Sequence, residues 1–195
     1  MMILILTWKG NKIMSYGLTI TQFSLSDFKQ ACHVFETVIP VAYKQEGIGH
    51  LTDDMREEIE QKINMLRSAL EENEPKTRFW LAKQNGVVVG TISFGPSNED
   101  LNACTDHQLA QVGEVGSLYV LPGYQGRGIA SALIKEVAVY LHSRGIEEFC
   151  LDSGYRRAQE KWKQKFGLPY AAVKNYWGPG TVHMVWLSRV SNFLA

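Results

Sequence analysis

The chain has 195 residues, 45% of them hydrophobic and 21% charged, with 20 Lys plus Arg balancing 20 Asp plus Glu. That length and apolar fraction suit one globular domain with a full core. A formal charge of zero excludes the basic footprint of a general nucleic-acid binder, so any positive field must be local. Cys32, Cys104 and Cys150 are widely spaced, with no C-x-x-C pair and no nearby histidine cluster. They read as free thiols of a reducing, cytoplasmic environment, and no metal site is expected.

The apolar run ending at Trp8 is too short to span a bilayer and has neither a basic region before it nor a small-residue cleavage site after it. No membrane association is expected. Met14-Ser15 reads as a natural beginning, so residues 1–14 are expected to be an N-terminal extension and residues 15–195 a single domain. Leu18 and Ile20 alternate within a first strand over Tyr16 to Gln22. Ser24 or Ser26 can cap a helix in which Phe28, Ala31, Cys32, Phe35 and Val38 recur at helical spacing until Pro40 interrupts. A second helix begins at Thr52-Asp53-Asp54 and shows Met55, Ile59, Ile63, Leu66 and Leu70 on one face. Its acidic residues read first as a solvated face, and secondarily as a surface for a cationic substrate.

Phe79 to Gln84, Asn85-Gly86 and Val87 to Phe94 spell a hairpin, because Asn-Gly suits a two-residue type I′ turn. Pro96 to Gly113 reads as a loop and Glu114 to Val120 as a fourth strand. A helix then runs through Ile129, Leu133, Ile134, Val137 and Leu141 to a stop at Arg144-Gly145. Glu148 to Asp152 is a fifth strand and Arg156 to Phe166 a short basic helix, read as solvated. Tyr170 to Trp177 and Val182 to Leu187 form a last hairpin, a plausible edge for a homodimer. The order β, α, α, β, β, β, α, β, α, β, β predicts an α/β fold of the α+β kind.

Between the fourth strand and the helix lies Leu-Pro-Gly-Tyr-Gln-Gly-Arg-Gly-Ile-Ala-Ser, residues 121–131. Glycines at a helix start let a pyrophosphate approach amides that lack intrahelical partners, where the helix dipole is positive. The turn nearly matches the dinucleotide fingerprint, and Glu147 and Glu148 stand where a ribose acid would. Three features oppose that reading: the turn follows a hairpin, Ser131 replaces the third glycine, and too little chain follows for a doubly wound sheet. No G-K-[ST] closes the turn, which excludes a P-loop.

Gln125-Gly126-Arg127-Gly128-Ile129-Ala130 resembles the Q/R-x-x-G-x-G/A signature of the GCN5-related N-acetyltransferase (GNAT) superfamily, and it too lies between a strand and a long helix. The element order from about Ser15 to Arg189 and the ending Lys165-Phe166-Gly167 are similar as well. The resemblance implies the acyl-CoA N-acyltransferase fold, a mixed, mostly antiparallel sheet of about seven strands flanked by helices. It implies acetyl-CoA as cofactor, with the phosphates of coenzyme A on Gln125, Gly126, Arg127, Gly128, Ile129, Ala130 and Ser131. The pantetheine arm would then lie along the main chain of Leu118, Tyr119 and Val120. Gly116, a glycine inside a strand, fits a bulge that helps splay the fourth and fifth strands.

By the same resemblance the reaction is transfer of an acetyl group to a primary amine of a small molecule or peptide, by direct attack in a ternary complex. Such a transfer needs a neutral amine, a stabilised oxyanion and a proton for the departing thiolate. Glu114, eleven residues before Gln125, has the spacing of the catalytic glutamate in histone-type members. Many members place a tyrosine four residues before the closing glycine of the last helix. Here that position is Lys163, and Tyr155 is the nearby phenol, so the donor is either Tyr155 or none, with direct thiolate departure. Tyr176, Trp177 and His183 lie where members shape the acceptor pocket, though strand packing explains them too. A non-catalytic acyl-CoA sensor or interaction module is the alternative function.

Overall fold

The computed structural model describes residues 17–71 and 74–194. The extension expected at residues 1–14 lies outside the described residues. Strand β1 (Leu18–Gln22) leads to helices α1 (Phe28–Glu46) and α2 (Thr52–Glu71), then to the hairpin of β2 (Arg78–Gln84) and β3 (Val87–Gly95). A short helix α3 (Glu99–Cys104) precedes β4 (Glu114–Val120), α4 (Ile129–Ser143), β5 (Glu148–Ser153), α5 (Arg156–Phe166), β6 (Ala171–Lys174) and β7 (Val182–Arg189). The strands form one seven-stranded sheet in the order β1-β2-β3-β4-β5-β7-β6. All neighbours are antiparallel except β4 and β5, so the expected mixed, mostly antiparallel sheet is observed.

The period of two along a strand sorts the core into two layers. Trp80 and Ala82 of β2 face α4, where Ile129, Leu133, Ile134, Val137 and Leu141 form one apolar stripe that also meets Phe149, Leu151 and Trp186. Phe79 and Leu81 face the opposite side, onto Ala31, Phe35, Val38 and Ile39 of α1 and Leu66 of α2. Farther along that second side, Leu101 and Cys104 of α3 cover Cys150 and Val185. Leu133 is fully buried. Leu133→Ala should therefore cost about 2–5 kcal/mol of stability, read as a lower midpoint in urea unfolding with an unchanged slope.

Asn85 and Gly86 carry the positive φ angles, 51° and 83°, of the type I′ turn. Three local expectations need correction. Helix α1 passes through Pro40 and ends at Gly47, which is left-handed at φ 80°. Pro40 forgoes one hydrogen bond, but burial of Val38, Ile39 and Tyr43 around it offsets the loss. Neither Ser24 nor Ser26 caps α1; a single 3-10 turn intervenes, and the Ser24 hydroxyl donates to the Asp27 carboxylate at 2.9 Å. The Pro96–Gly113 segment is not all loop, because Asn98 caps α3 by accepting the Leu101 N–H at 2.8 Å. Among the described residues, no helix is long and apolar enough to cross a membrane.

Candidate active site

Strands β4 and β5 meet at one register pair, Glu114 with Cys150, fixed by the Cys150 N–H donating to the Gly113 carbonyl at 2.9 Å. Beyond that pair no ladder joins them, so a slot opens between the C-terminal halves of the two strands. A bulge shapes the slot, but its extra residue is Ser117 (φ 48°) rather than Gly116. The Thr91 hydroxyl donates to the Ser117 carbonyl at 2.8 Å and holds this left-handed residue in place. The inserted residue also resets the alternation along β4: Val115 and Val120 face α4, while Tyr119 joins the side of α1 and α2. Gly116 has a different use, since a Cβ there would lie 2.9 Å from Glu114 Oε1. The missing side chain leaves room for the Glu114 carboxylate.

At the far end of β4 the chain enters the glycine turn. Gly126 and Gly128 have φ 74° and 81°, and α4 starts at Ile129 directly after Gly128. Apart from the adjoining residues, no heavy atom lies within 4 Å of the position a Cβ would take at either glycine. The turn is anchored behind: Gln125 Nε2 donates to the Val120 carbonyl at 2.9 Å, and the Arg127 guanidinium donates to the Gly123 carbonyl at 2.7 Å, 5.2 Å from the Tyr124 ring centroid. Lys165 reaches across from α5 and donates to the Ser131 hydroxyl at 2.9 Å. Partial burial lowers the pKa of this lysine. A slot leading to an open turn of first-turn amides, flanked by Arg127 and Lys165, fits a pantetheine diphosphate such as coenzyme A.

Glu114 sits at the closed end of the slot. Its Oε2 accepts the main-chain N–H of Asn98 at 2.7 Å. Burial, reinforced by the nearby Asp152 charge, pushes its pKa up to about 7, against smaller opposing effects of the Asn98 hydrogen bond and of Lys62. Asp152 Oδ2 accepts from Asn98 Nδ2 at 3.0 Å and lies 3.1 Å from His183 Nε2. His183 Nδ1 is 2.9 Å from the Trp177 indole nitrogen. Cys150, beside Glu114, donates its thiol to the Val112 and Gly113 carbonyls, and burial raises its pKa to about 12, which makes it inert as a nucleophile.

A second group lies on α2. Glu58 accepts the Tyr119 hydroxyl at 2.8 Å and the Tyr155 hydroxyl at 2.6 Å. Burial and the Glu58 charge raise the pKa of Tyr119 and of Tyr155, and that of Tyr43 to about 12. Of the residues expected at the site, Glu114, Leu118, Tyr119, Val120 and the 125–131 turn thus line one strand and its continuation. Tyr155 follows β5 on the opposite bank and is tied to α2. Glu58, Asn98, Asp152 and Lys165 were missed. In the sequence Glu58 is one of many acids on a face that reads as solvated and Lys165 one of several cations on another, while Asn98 opening Asn98-Glu99-Asp100 has the form of a helix cap.

The sequence profile of the acetyltransferase (GNAT) family matches residues 32–168. No protein of curated function matches the chain. Among solved structures, one of a GNAT-family protein from Desulfovibrio desulfuricans is similar with a TM-score of 0.67 at 16% identity, covering 89% of this chain and 99% of that one. The PaiA N-acetyltransferase of Thermoplasma acidophilum, in complex with coenzyme A, gives 0.62 at 16% identity, over 88% and 99% of the two chains. The ribosomal-protein-S18-alanine N-acetyltransferase of Escherichia coli gives 0.58 at 14% identity, over 89% and 94%. Those likenesses speak to the fold, and the family profile spans well over half of the sequence. With the glycine turn, the splayed strands and the profile in agreement, the chain belongs to the GNAT acetyltransferase family.

Proposed function

We propose that the chain transfers an acetyl group from acetyl-CoA to a primary amine of a small molecule or peptide, by direct attack in a ternary complex. The observation that carries the proposal is the placement of Glu114, a partly buried carboxylate with a pKa of about 7, on the strand that leads to the glycine turn. When bound, the cofactor supplies the activated acetyl thioester. Main-chain groups of Leu118, Tyr119 and Val120 orient it, and the amides of Gly126 to Ser131 hold its phosphates, with Gln125 and Arg127 bracing the turn. An N–H near Val120 stabilises the oxyanion in the partly dry slot. Glu114, directly or through water, removes the ammonium proton, for which a carboxylate titrating near neutrality is suited.

For Tyr155 the proposal is narrower than proton donation. A phenol raised well above its ordinary value holds its proton more tightly than a thiol does, so passing it to a thiolate runs uphill. Tyr155 and Tyr119 instead orient the Glu58 carboxylate, and the thiolate departs as the anion or receives the proton that Glu114 has collected. Glu58 and Asp152 add negative charge on the acceptor side of the slot, which favours a cationic amine.

The test is calorimetric titration of the full chain with coenzyme A, paired with thiol release from acetyl-CoA against a panel of small amines and peptides. Binding with amine-dependent release of thiol is expected. Binding without release on any amine would favour the acyl-CoA sensor instead.

A further inference from the structure

We propose that Asp152 is a positioning residue that adds to the effect of burial in raising the strength of Glu114 as a base, and that Asn98 bridges the two carboxylates. The proposal rests on the reading of Glu114 as the base. Its foundation is geometric. Glu114 on β4, Asp152 on β5 and His183 on β7 all project from the face of the sheet that carries α3, because their strand neighbours Val115, Leu151 and Met184 point to the other face. Asn98 stands between the carboxylates, with its main-chain N–H on Glu114 Oε2 at 2.7 Å and its side-chain Nδ2 on Asp152 Oδ2 at 3.0 Å.

The orientation of the Asn98 amide is fixed by chemistry. Its Oδ1 accepts the Leu101 N–H at the start of α3, so the NH2 must face Asp152. The hydrogen on His183 is fixed in the same way. Indole N–H is only a donor, so Nδ1 accepts from Trp177 and Nε2 carries the hydrogen that Asp152 receives. Gly154 permits this arrangement, since a Cβ there would lie 2.8 Å from the indole nitrogen. Asp152 therefore collects two N–H donors through one oxygen, the hydrogen-bond set of a carboxylate, and it stands beside Glu114 as a fixed negative charge.

The other groups facing the pair come from every neighbouring element. Lys62 of α2 acts on Glu114 in the opposite sense, and the Cys150 thiol of β5 lies against it. Asp100 and Cys104 of α3 and Tyr176 lie on the Asp152 side, where Tyr176 donates to Asp100 at 2.8 Å. Among these only Lys62 is a cation, so the net field at Glu114 is set by which carboxylates surround it.

Two variants test the proposal. Asp152→Asn removes the neighbouring charge while keeping an oxygen for His183, and Asp152→Ser removes it while keeping a smaller hydroxyl oxygen. The readout is titration of the Glu114 side-chain carboxyl by carbon NMR of the whole chain, assigned by its loss in Glu114→Gln, alongside the acidic limb of kcat/KM. From a wild-type midpoint of about 7, each should move it down by about one pH unit. If one variant fails to fold, the other decides. Midpoints that stay within about 0.2 of wild type would overturn the proposal, even with the acidic limb of activity present. Midpoints that move as expected while no amine is acetylated would sustain it and remove the base reading instead.

Discussion

Glu114→Gln should lower kcat/KM for the amine acceptor by about 10²- to 10⁴-fold, with coenzyme A affinity within about twofold of wild type, and should abolish the acidic limb of the pH profile. The substitution keeps the shape and still offers an oxygen to the Asn98 N–H, so what it removes is basicity. Wild type should lose activity as pH falls through about 7, where the carboxylate is protonated. The variant should show no such transition, because a neutral amide does not titrate. A Glu114→Gln enzyme with wild-type rates across this range would show that the amine reaches the thioester already neutral and that Glu114 serves only the fold.

The same residue ties activity to stability with a sign that can be worked out. Its folded pKa, about 7, lies above the ordinary 4.5, so between these values the folded state binds more protons than the unfolded one. The stability that this group contributes is therefore full below about 4.5 and is lost as pH rises through about 7. At pH 8 the protein keeps a partly buried charge beside Asp152, and Glu114→Gln relieves it. Thermal melts should find the variant more stable than wild type at pH 8, with the gain shrinking toward pH 5. Such an exchange of stability for activity is what a functional carboxylate in a desolvated position predicts.

How much of this was legible in the sequence depended on whether the signal was local. Strand β4 and helix α5 have their expected bounds, because the marks that end them adjoin each segment, Leu121-Pro122-Gly123 after β4 and Gly167 after α5. The Asn85-Gly86 turn was equally local. Pro40 misled because its cost is set against the burial of Ile39 and Tyr43, which comes from elsewhere in the fold. Glycine is the usual marker of a bulge, which points to Gly116, but here the Thr91 hydroxyl, twenty-six positions away, holds Ser117 in the left-handed region. Glu58, Asn98 and Asp152 join the site through partners sixteen to ninety-seven positions distant. No spacing rule connects residues that only the folded sheet brings together.

The turn that held the first clue gives the second large effect. Gly128→Val should reduce coenzyme A affinity by about 10²-fold or more, since each charge-assisted hydrogen bond lost from the phosphates is worth about 1.5–3 kcal/mol. Two causes must be separated. Gly128 has φ 81°, where an L-residue costs about 1–2 kcal/mol, so the variant loses some stability whatever the turn binds. A Cβ there would meet no atom within 4 Å apart from its chain neighbours, however, so the fold can keep the substitution, and the valine methyl groups would enter the space proposed for the phosphates. Gly86→Val supplies the control, because Gly86 has φ 83° and equally open surroundings but sits in the β2–β3 hairpin. The two variants should melt at similarly lowered temperatures, while only Gly128→Val loses the calorimetric signal for coenzyme A. Equal binding by both would mean that backbone strain alone had been measured, and that the phosphates lie elsewhere than on the first turn of α4.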